Sequence, residues 1–560
     1  MVDMARPAQM SKWNIAHSLR KRKLLIAINC IAGLSIFFFG YDQGMMGGVN
    51  NAANYISTMD IGTTVIGAGG EPTPKITNTL RQGGIVSIYY VGTLMGALLG
   101  GWVGEKIGRI RTIALGAAWG VLGASLQCSA QNHAWMICAR LVNGWGTGIL
   151  NAIVPVWATE TSEHTSRGQF IAIEFTLNIF GVVVAYWMEY GLSYVDGGYS
   201  QIRWRIPVGF QIIPLLCLFG LVWFFPESPR WLVKMGREDE ARYLLGRLRG
   251  EDGADEIKAE AEFQEIKAVH ALEISADYPT SYMSMLLGRG SGKLHIGRRV
   301  QLVIWLQVFQ EWVGIAGVTI YAPTIFRLAG FTANKSQWIS GLNNIFYMAS
   351  RIFSTLICVF TLDRIGRRYT LYWGSVMQGI AMFLCGAFSR LGLNASAANE
   401  TAKAAHYGNA AASMIFLFTF VFGATWLTVP WLYPAEIFPL AVRAKGNAWG
   451  VVGWSIGNGW LTLLLPVCFQ HIGEKTYYLF GIANMLSIPF VWALYPESNQ
   501  RTLEEMDLLF AADSPWNWAA EANFERLKLE NPDIIHDAQH GRQALQMEKT
   551  NEKDLYVDNA

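Results

Sequence analysis

Residues 24–49 read LLIAINCIAGLSIFFFGYDQGMMGGV, an almost unbroken apolar run that ends in Gly40-Tyr41-Asp42-Gln43-Gly44. A helix of this length spans a hydrocarbon core of ~30 Å. Near its far end stands one carboxylate, Asp42, flanked by glycines that allow other helices to approach closely. An ionised Asp inside a membrane costs ~2.5 kcal/mol or more, so it must face a polar cavity, find a cationic partner or carry a proton. Alternatively, Asp42 lies just past the membrane boundary and is simply hydrated.

Working outward from this run, the 560 residues are 52% hydrophobic and only 15% charged, with 22 Trp and a mean hydropathy of +0.24. Apolar runs of spanning length recur along the chain, which makes it a polytopic membrane protein with the lipid bilayer as a partner. The net charge of +2 offers no nucleic-acid surface. Seven scattered cysteines show neither metal-ligand spacing nor an even disulfide framework. The basic stretch Arg20–Lys23 precedes a run too long for a signal peptide and without a small-residue cleavage site, so the first run is expected to be a retained span.

The runs fall near 24–46, 83–103, 112–129, 133–157, 169–192 and 207–225, then near 298–325, 338–362, 370–390, 411–433, 446–470 and 476–495. The expected architecture is all-α, with twelve transmembrane helices in two six-helix halves, 24–225 and 298–495. These are bounded by a tail at 1–23, an amphipathic helical linker at 226–297 and a tail at 496–560 that is partly disordered from Asp513. Basic residues in short loops (Lys106, Arg109 and Arg111; Arg364, Arg367 and Arg368), with Arg20–Lys23, place both termini and the linker in the cytoplasm. The opposite face then carries longer loops at 50–80 and 391–409, with acceptor sequons at Asn394, Asn399 and, in another outer loop, Asn334.

The halves repeat. Gly104-Glu105-Lys106-Ile107-Gly108-Arg109 corresponds to Leu362-Asp363-Arg364-Ile365-Gly366-Arg367. Glu160 precedes Arg167, and Glu436 precedes Arg443, by the same interval. Pro226-Glu227-Ser228 returns as Pro496-Glu497-Ser498. Parallel six-span halves with substrate between them describe an alternating-access transporter. The loop charges Glu105, Lys106, Arg109, Glu160, Arg167, Asp363, Arg364, Arg367, Arg368, Glu436 and Arg443 suit a conformational latch that bridges helix ends in one state, beside a role in setting topology.

Taken in order, these motifs resemble the sugar porter family of the major facilitator superfamily. The resemblance runs from Leu24 to Asp507 and includes Arg140-x3-Gly144-x-Gly146-x-Gly148, Trp204-Arg205-x-Pro207, PESPR at 226–230 and Gln310-x3-Gly314-Ile315. Ile153–Trp157, Ala185-Tyr186-Trp187 and Pro430–Pro434 look closest to a fungal branch that includes the yeast glycerol–proton symporter. The resemblance implies that Asp42 and Arg140 form a proton couple, that the proton is the coupling ion with no other cofactor, and that the protein functions as a monomer. A permanent structural ion pair is the other reading of that couple.

At the implied sugar site the chain departs from the family. The seventh-span Gln-Gln-x-x-Gly-Ile-Asn becomes Gln310-Glu311-Trp312-Val313-Gly314-Ile315-Ala316. Phe175, with Glu174 beside it, replaces a fifth-span Gln, Arg351 stands at an eighth-span Asn and Trp454 replaces another Asn, while Trp431 and Asn458 match expected contacts. A guanidinium at Arg351 fits a carboxylate bidentately, which suggests an anionic substrate such as a uronic acid. Two alternatives stay open: Arg351 pairs with Glu311 to leave a neutral site, or it faces a polar niche elsewhere. The expectation is therefore a plasma-membrane proton symporter that imports a monosaccharide, with a sugar acid such as D-galacturonate favoured and Gln310, Glu311, Arg351, Trp431, Asn458 and Glu174 contacting it. A neutral hexose, pentose or glycerol-like polyol is the near alternative, and a non-transporting sugar sensor a distant one. No nucleophile–base pair, metal spacing or phosphate loop points to an enzyme.

Overall fold

The structure is a computed structural model that describes residues 10–530 except 67–71, 163–166, 251–253, 276–280, 292–293, 440–441, 500, 502 and 513. At 167–173, 271–275, 351–364 and 443–444, among other positions, it describes the backbone alone. Arg167, Arg351, Asp363, Arg364 and Arg443 thus have helical backbones, and the expectations for their side chains lie outside what is described.

Among the described residues, twelve long helical segments carry the fold. The first six are α1 (Lys21–Val49), α2 (Thr79–Ile107), α3 (Arg109–Cys128), α4 (His133–Thr161), α5 (Arg167–Leu192) and α6 (Ile202–Phe224). The second six are α7 (Ile296–Ile320), α8 (Ala333–Ile365), α9 (Arg367–Ala397), α10 (Thr401–Ile437), α11 (Arg443–His471) and α12 (Thr476–Leu494). Nine described helical segments are apolar and long enough to cross a membrane by composition alone. Short helices at Pro229–Lys234, Glu238–Arg249, Ala254–Ser275 and Tyr282–Leu287 join the halves on one face, here termed the connector face.

Within the first half α2 and α3 pack on α4, and α1 packs on α5; within the second, α9 packs on α10 and α12. The halves meet along two equivalent seams, α2 against α11 and α5 against α8. Glycines set the closeness of the first-half contacts. A Cβ at Gly144 would lie 2.1 Å from the Tyr89 carbonyl oxygen and one at Gly148 would lie 2.2 Å from that of Thr93. With lipid as apolar as the side chains, such backbone proximity supplies the van der Waals contact that holds helices together.

Two spans of the second half are broken. In α7 a π-turn covers Glu311–Ile315, with Gly314 at φ +123°, a left-handed conformation that only glycine adopts without strain. In α10 the helix interrupts at Thr425–Thr428, just before Pro430. Backbone groups freed inside a membrane need partners, and amides on neighbouring spans supply them. The Asn484 amide donates to the Val313 carbonyl (2.9 Å), that of Gln310 to Trp426 (2.7 Å) and that of Gln307 to Pro430 (3.1 Å).

Two sequence expectations about the outer loops are corrected. The outer segment 391–409 is no long loop, because α9 runs to Ala397 and α10 begins at Thr401; Asn394 is helical, and Asn399 is a turn residue with φ +59°. Asn334 lies in the first turn of α8. The tail is helical at Asn517–Glu530, where Trp518 packs on Trp516 and Trp492, Phe524 is buried and Arg501 pairs with Glu521 at 2.7 Å. On the face opposite the connector, 50–80 folds as a short helix, Ala53–Thr58, and a hairpin of β1 (Gly62–Ile66) and β2 (Pro72–Ile76).

Candidate functional site: an inter-half cavity and its buried ion pair

A cavity of about 620 Å³ runs between the halves. It reaches from Asn178, Gln310 and Glu311 deep in the membrane to Glu105, Lys234 and His270 on the connector face. The opposite face is closed between the halves: the Tyr186 hydroxyl donates to the Thr319 carbonyl at 2.6 Å, and Arg327 Nη2 donates to Asn51 Oδ1 at 2.8 Å. The structure is therefore a state open toward the connector face alone.

Asp42 is not at a wet boundary. It is 1% exposed, and Arg140 Nη1 lies 3.3 Å from its Oδ1. Asn143 Nδ2 lies 3.3 Å from the same oxygen, Gln127 Oε1 accepts from Arg140 at 3.4 Å, and the guanidinium sits over the Tyr89 ring at 4.5 Å. The pair belongs to the first half, since α1 and α4 carry it. Burial this complete makes removal of one partner costly, because the other charge is left alone in a dry site.

The deep cavity wall combines rings, amides and two carboxyls. Phe175 meets Trp431 edge-on at 6.0 Å, so one aromatic wall is built from both halves. Gln310 lines the cavity, but its amide nitrogen is committed to Trp426 and Leu427 carbonyls; only Oε1 remains unpartnered among the described residues. Glu311 stands beside Asn458 and Trp454 in the cavity lining, and the Asn458 amide donates to the Trp454 carbonyl at 3.2 Å. Gly457 makes room for Glu311, since a Cβ there would lie 3.3 Å from Glu311 Cβ. Glu174 is 7% exposed, and its Oε1 has no partner among the described residues. One turn on, Asn178 presents an equally unpartnered Nδ2 to the cavity, as does Asn151 from α4. Sequence reasoning missed Asn178 and Asn151; the i,i+4 spacing from Glu174 was the available signal for the first.

At the connector face the repeated motifs form matching clusters. Arg109 makes a two-pronged pair with Glu160, at 2.9 and 2.8 Å, and Arg367 pairs with Glu436 at 2.8 Å. The PES-motif acids, which sequence reasoning left without a role, cap the next helices. Glu227 accepts the Arg109 and Ile110 N–H groups at 2.9 and 3.1 Å, and Glu497 accepts those of Arg367 and Arg368 at 2.8 and 3.0 Å. Each satisfies orphan donors at a helix N-terminus, where the dipole also favours an anion. Burial holds the Glu227 carboxyl above the usual carboxylate range, against the opposing pull of those N–H groups and of Arg109. Glu227→Ala should destabilise the protein by about 1–3 kcal/mol through two stranded donors, measured as a lower melting temperature in detergent.

These pairs each lie within one half and are formed while the cavity is open to their face. Lys106 is no part of them: its ammonium sits over the Trp102 ring at 3.9 Å. Between the halves, among the described residues, Glu105 pairs with Lys445 at 3.4 Å and also with Lys234 at 3.6 Å. Arg368 donates to the Trp492 carbonyl at 3.0 Å.

Comparison with known proteins accords with this geometry. Residues 28–510 match the family model described as "Sugar (and other) transporter". The chain is 31% identical to the MFS-type transporter oryC of Aspergillus oryzae, over 86% of this chain and 84% of that protein. It is 30% identical to the sugar transporter STL1 of Saccharomyces cerevisiae, over 93% and 87%, and 26% identical to a quinate permease of Neurospora africana, over 89% and 91%. The fold matches the E. coli proton:xylose symporter XylE bound to 6-bromo-6-deoxy-D-glucose, with a TM-score of 0.68 and 21% identity over 87% of this chain and 99% of that one. The chain belongs to the sugar transporter family of the major facilitator superfamily.

Proposed function

We propose that this protein is a proton-coupled, alternating-access symporter that imports a small polyhydroxylated substrate across the plasma membrane. In this reading the connector face and both termini are cytoplasmic, and the halves 24–225 and 298–495 rock about the cavity. The observation that carries the reading is the Asp42–Arg140 pair, sealed from solvent inside the half that must move. A carboxylate so placed is compensated by Arg140 and the Asn143 amide, and a change in that contact lets it exchange a proton. Proton entry and substrate entry are then linked by one conformational equilibrium.

The described cavity supports a neutral monosaccharide or polyol as substrate. Glu174 and Glu311 both face it, and the free Gln310 oxygen and the Asn178 and Asn151 amides offer acceptors and donors suited to hydroxyl groups. The aromatic wall of Phe175 and Trp431 suits a pyranose face. A sugar acid such as D-galacturonate is the second reading. It is supported by the register of α8, which places Arg351 one turn after the cavity-lining Tyr347. The relatives carry both chemistries in their names, a sugar transporter and a quinate permease.

The deciding experiment is uptake of labelled glucose, xylose, glycerol and D-galacturonate in transporter-deleted yeast, with and without an uncoupler. Uncoupler-sensitive uptake of a neutral substrate, weakened about tenfold or more by Glu174→Gln and spared by Arg351→Gln, is the expected result. Uptake of galacturonate alone, lost in Arg351→Gln, would replace the neutral substrate by the anion.

A further inference from the structure

The ion pair lies inside the first half and the cavity between the halves, and a chain of side chains joins the pair to the second-half wall of the cavity. Arg140, beside Asp42, lies over the Tyr89 ring at 4.5 Å. Tyr89 meets Tyr90 edge-on at 5.2 Å, and Tyr90 meets Trp454 edge-on at 5.3 Å. Phe39 of α1, three residues before Asp42, touches the same indole at 5.2 Å. Trp454 and Glu311 then stand together in the cavity lining. Tyr89 and Tyr90 belong to α2, and Trp454 to α11, so the contact crosses the seam between the halves. Tyr89 and Tyr90 are 1% and 2% exposed and Trp454 is 3% exposed, so no solvent interrupts the chain.

We propose that the Tyr90–Trp454 contact is the coupling element through which the Asp42–Arg140 pair and the Glu311 substrate wall sense each other. This rests on the symport reading given above. Trp454 is a positioning residue: its indole lines the cavity beside Glu311 and Asn458 while its ring lies against Phe39 and Tyr90. Any shift of α1 or α2 that loosens Asp42 from Arg140 also moves the rings that hold the indole. The charged and titratable groups near this path are Asp42, Arg140, Tyr89, Tyr90, Tyr321 and Glu311, with Glu174 across the cavity. A contiguous packed path with a moving seam is a physical route for coupling, and it requires a direct test.

The test uses the full chain, purified and reconstituted in liposomes, with the neutral substrate identified by uptake as probe. Two quantities are read: accumulation driven by an imposed proton gradient, and counterflow exchange without one. Tyr90→Leu, which removes a ring outside the cavity lining, should lower accumulation about tenfold or more relative to exchange, within the range of a coupling free energy. Tyr90→Phe keeps the ring and should retain coupling. Trp454→Phe, which keeps a ring but loses the N–H, should flatten the pH dependence of KM, and in an Asp42→Asn background it should add nothing further. Should Tyr90→Leu fail to fold, the Trp454→Phe pH profile decides alone. Wild-type accumulation to exchange ratios in Tyr90→Leu, or an unchanged KM profile in Trp454→Phe, would overturn the bridge. Failure of the wild-type protein to accumulate substrate with the gradient would instead overturn the symport reading.

Discussion

Asp42→Asn should abolish accumulation of substrate against its gradient while counterflow exchange persists. Asn keeps the shape and the hydrogen-bonding reach toward Asn143 but removes the proton-binding group. The ratio of accumulation to exchange should fall about a hundredfold, near the upper end of typical coupling energies. A second consequence concerns stability. Arg140 is 2% exposed, and without the carboxylate its charge faces only neutral groups here, among them Gln127 Oε1 and the Tyr89 ring. Orphaning a buried charge costs about 3–5 kcal/mol, so the variant should also melt at a lower temperature. Arg140→Met together with Asp42→Asn should recover much of that stability, because a neutral pair leaves no charge to desolvate, yet transport should stay uncoupled. Accumulation at the wild-type level in Asp42→Asn would remove this pair from the mechanism.

The largest structural effect is expected from Gly144→Val. A single Cβ at this position would sit 2.1 Å from the Tyr89 carbonyl oxygen, 3.0 Å from its carbon and 3.2 Å from Gly92 Cα. All three obstacles are backbone, so no side chain can rotate aside and α2 must separate from α4. Overpacking of well-fitted sites typically costs about 1–3 kcal/mol even where side chains can yield, and here they cannot. The expected outcome is loss of monodisperse protein in detergent, with little reaching the membrane. Gly84→Ala, a glycine of α2 with open space where its Cβ would go, should express normally and serves as the control. A folded, active Gly144→Val protein would mean that the two helices do not need this closeness.

The twelve spans, the doubling of the halves and the identity of the buried pair were all legible in the chain. Hydropathy is a local sum along a helix-length window, so the apolar runs near 24–46 and 446–470 announce α1 and α11 without knowledge of their neighbours. The loop motifs repeat in both halves, and the structure brings equivalent members together as Arg109–Glu160 and Arg367–Glu436, pairings that the spacing alone did not specify. Asp42 stood out because an intramembrane charge is expensive, and the resemblance to the sugar porters supplied Arg140 as its partner.

Which groups face one another across the halves was decided only in three dimensions. Lys106 and Glu105 are adjacent in the chain, yet one sits over Trp102 while the other reaches Lys445, because successive helix positions point about 100° apart. Gln310 reads as a substrate amide, but the break in α10 claims its nitrogen for stranded carbonyls. Trp454 reads as a lost amide, but packing makes it the indole that meets Tyr90 across the seam and Phe39 of α1. Sequence set what each helix is made of; the rotation and crossing of helices hundreds of residues apart set which of those groups meet, and no local pattern encodes that.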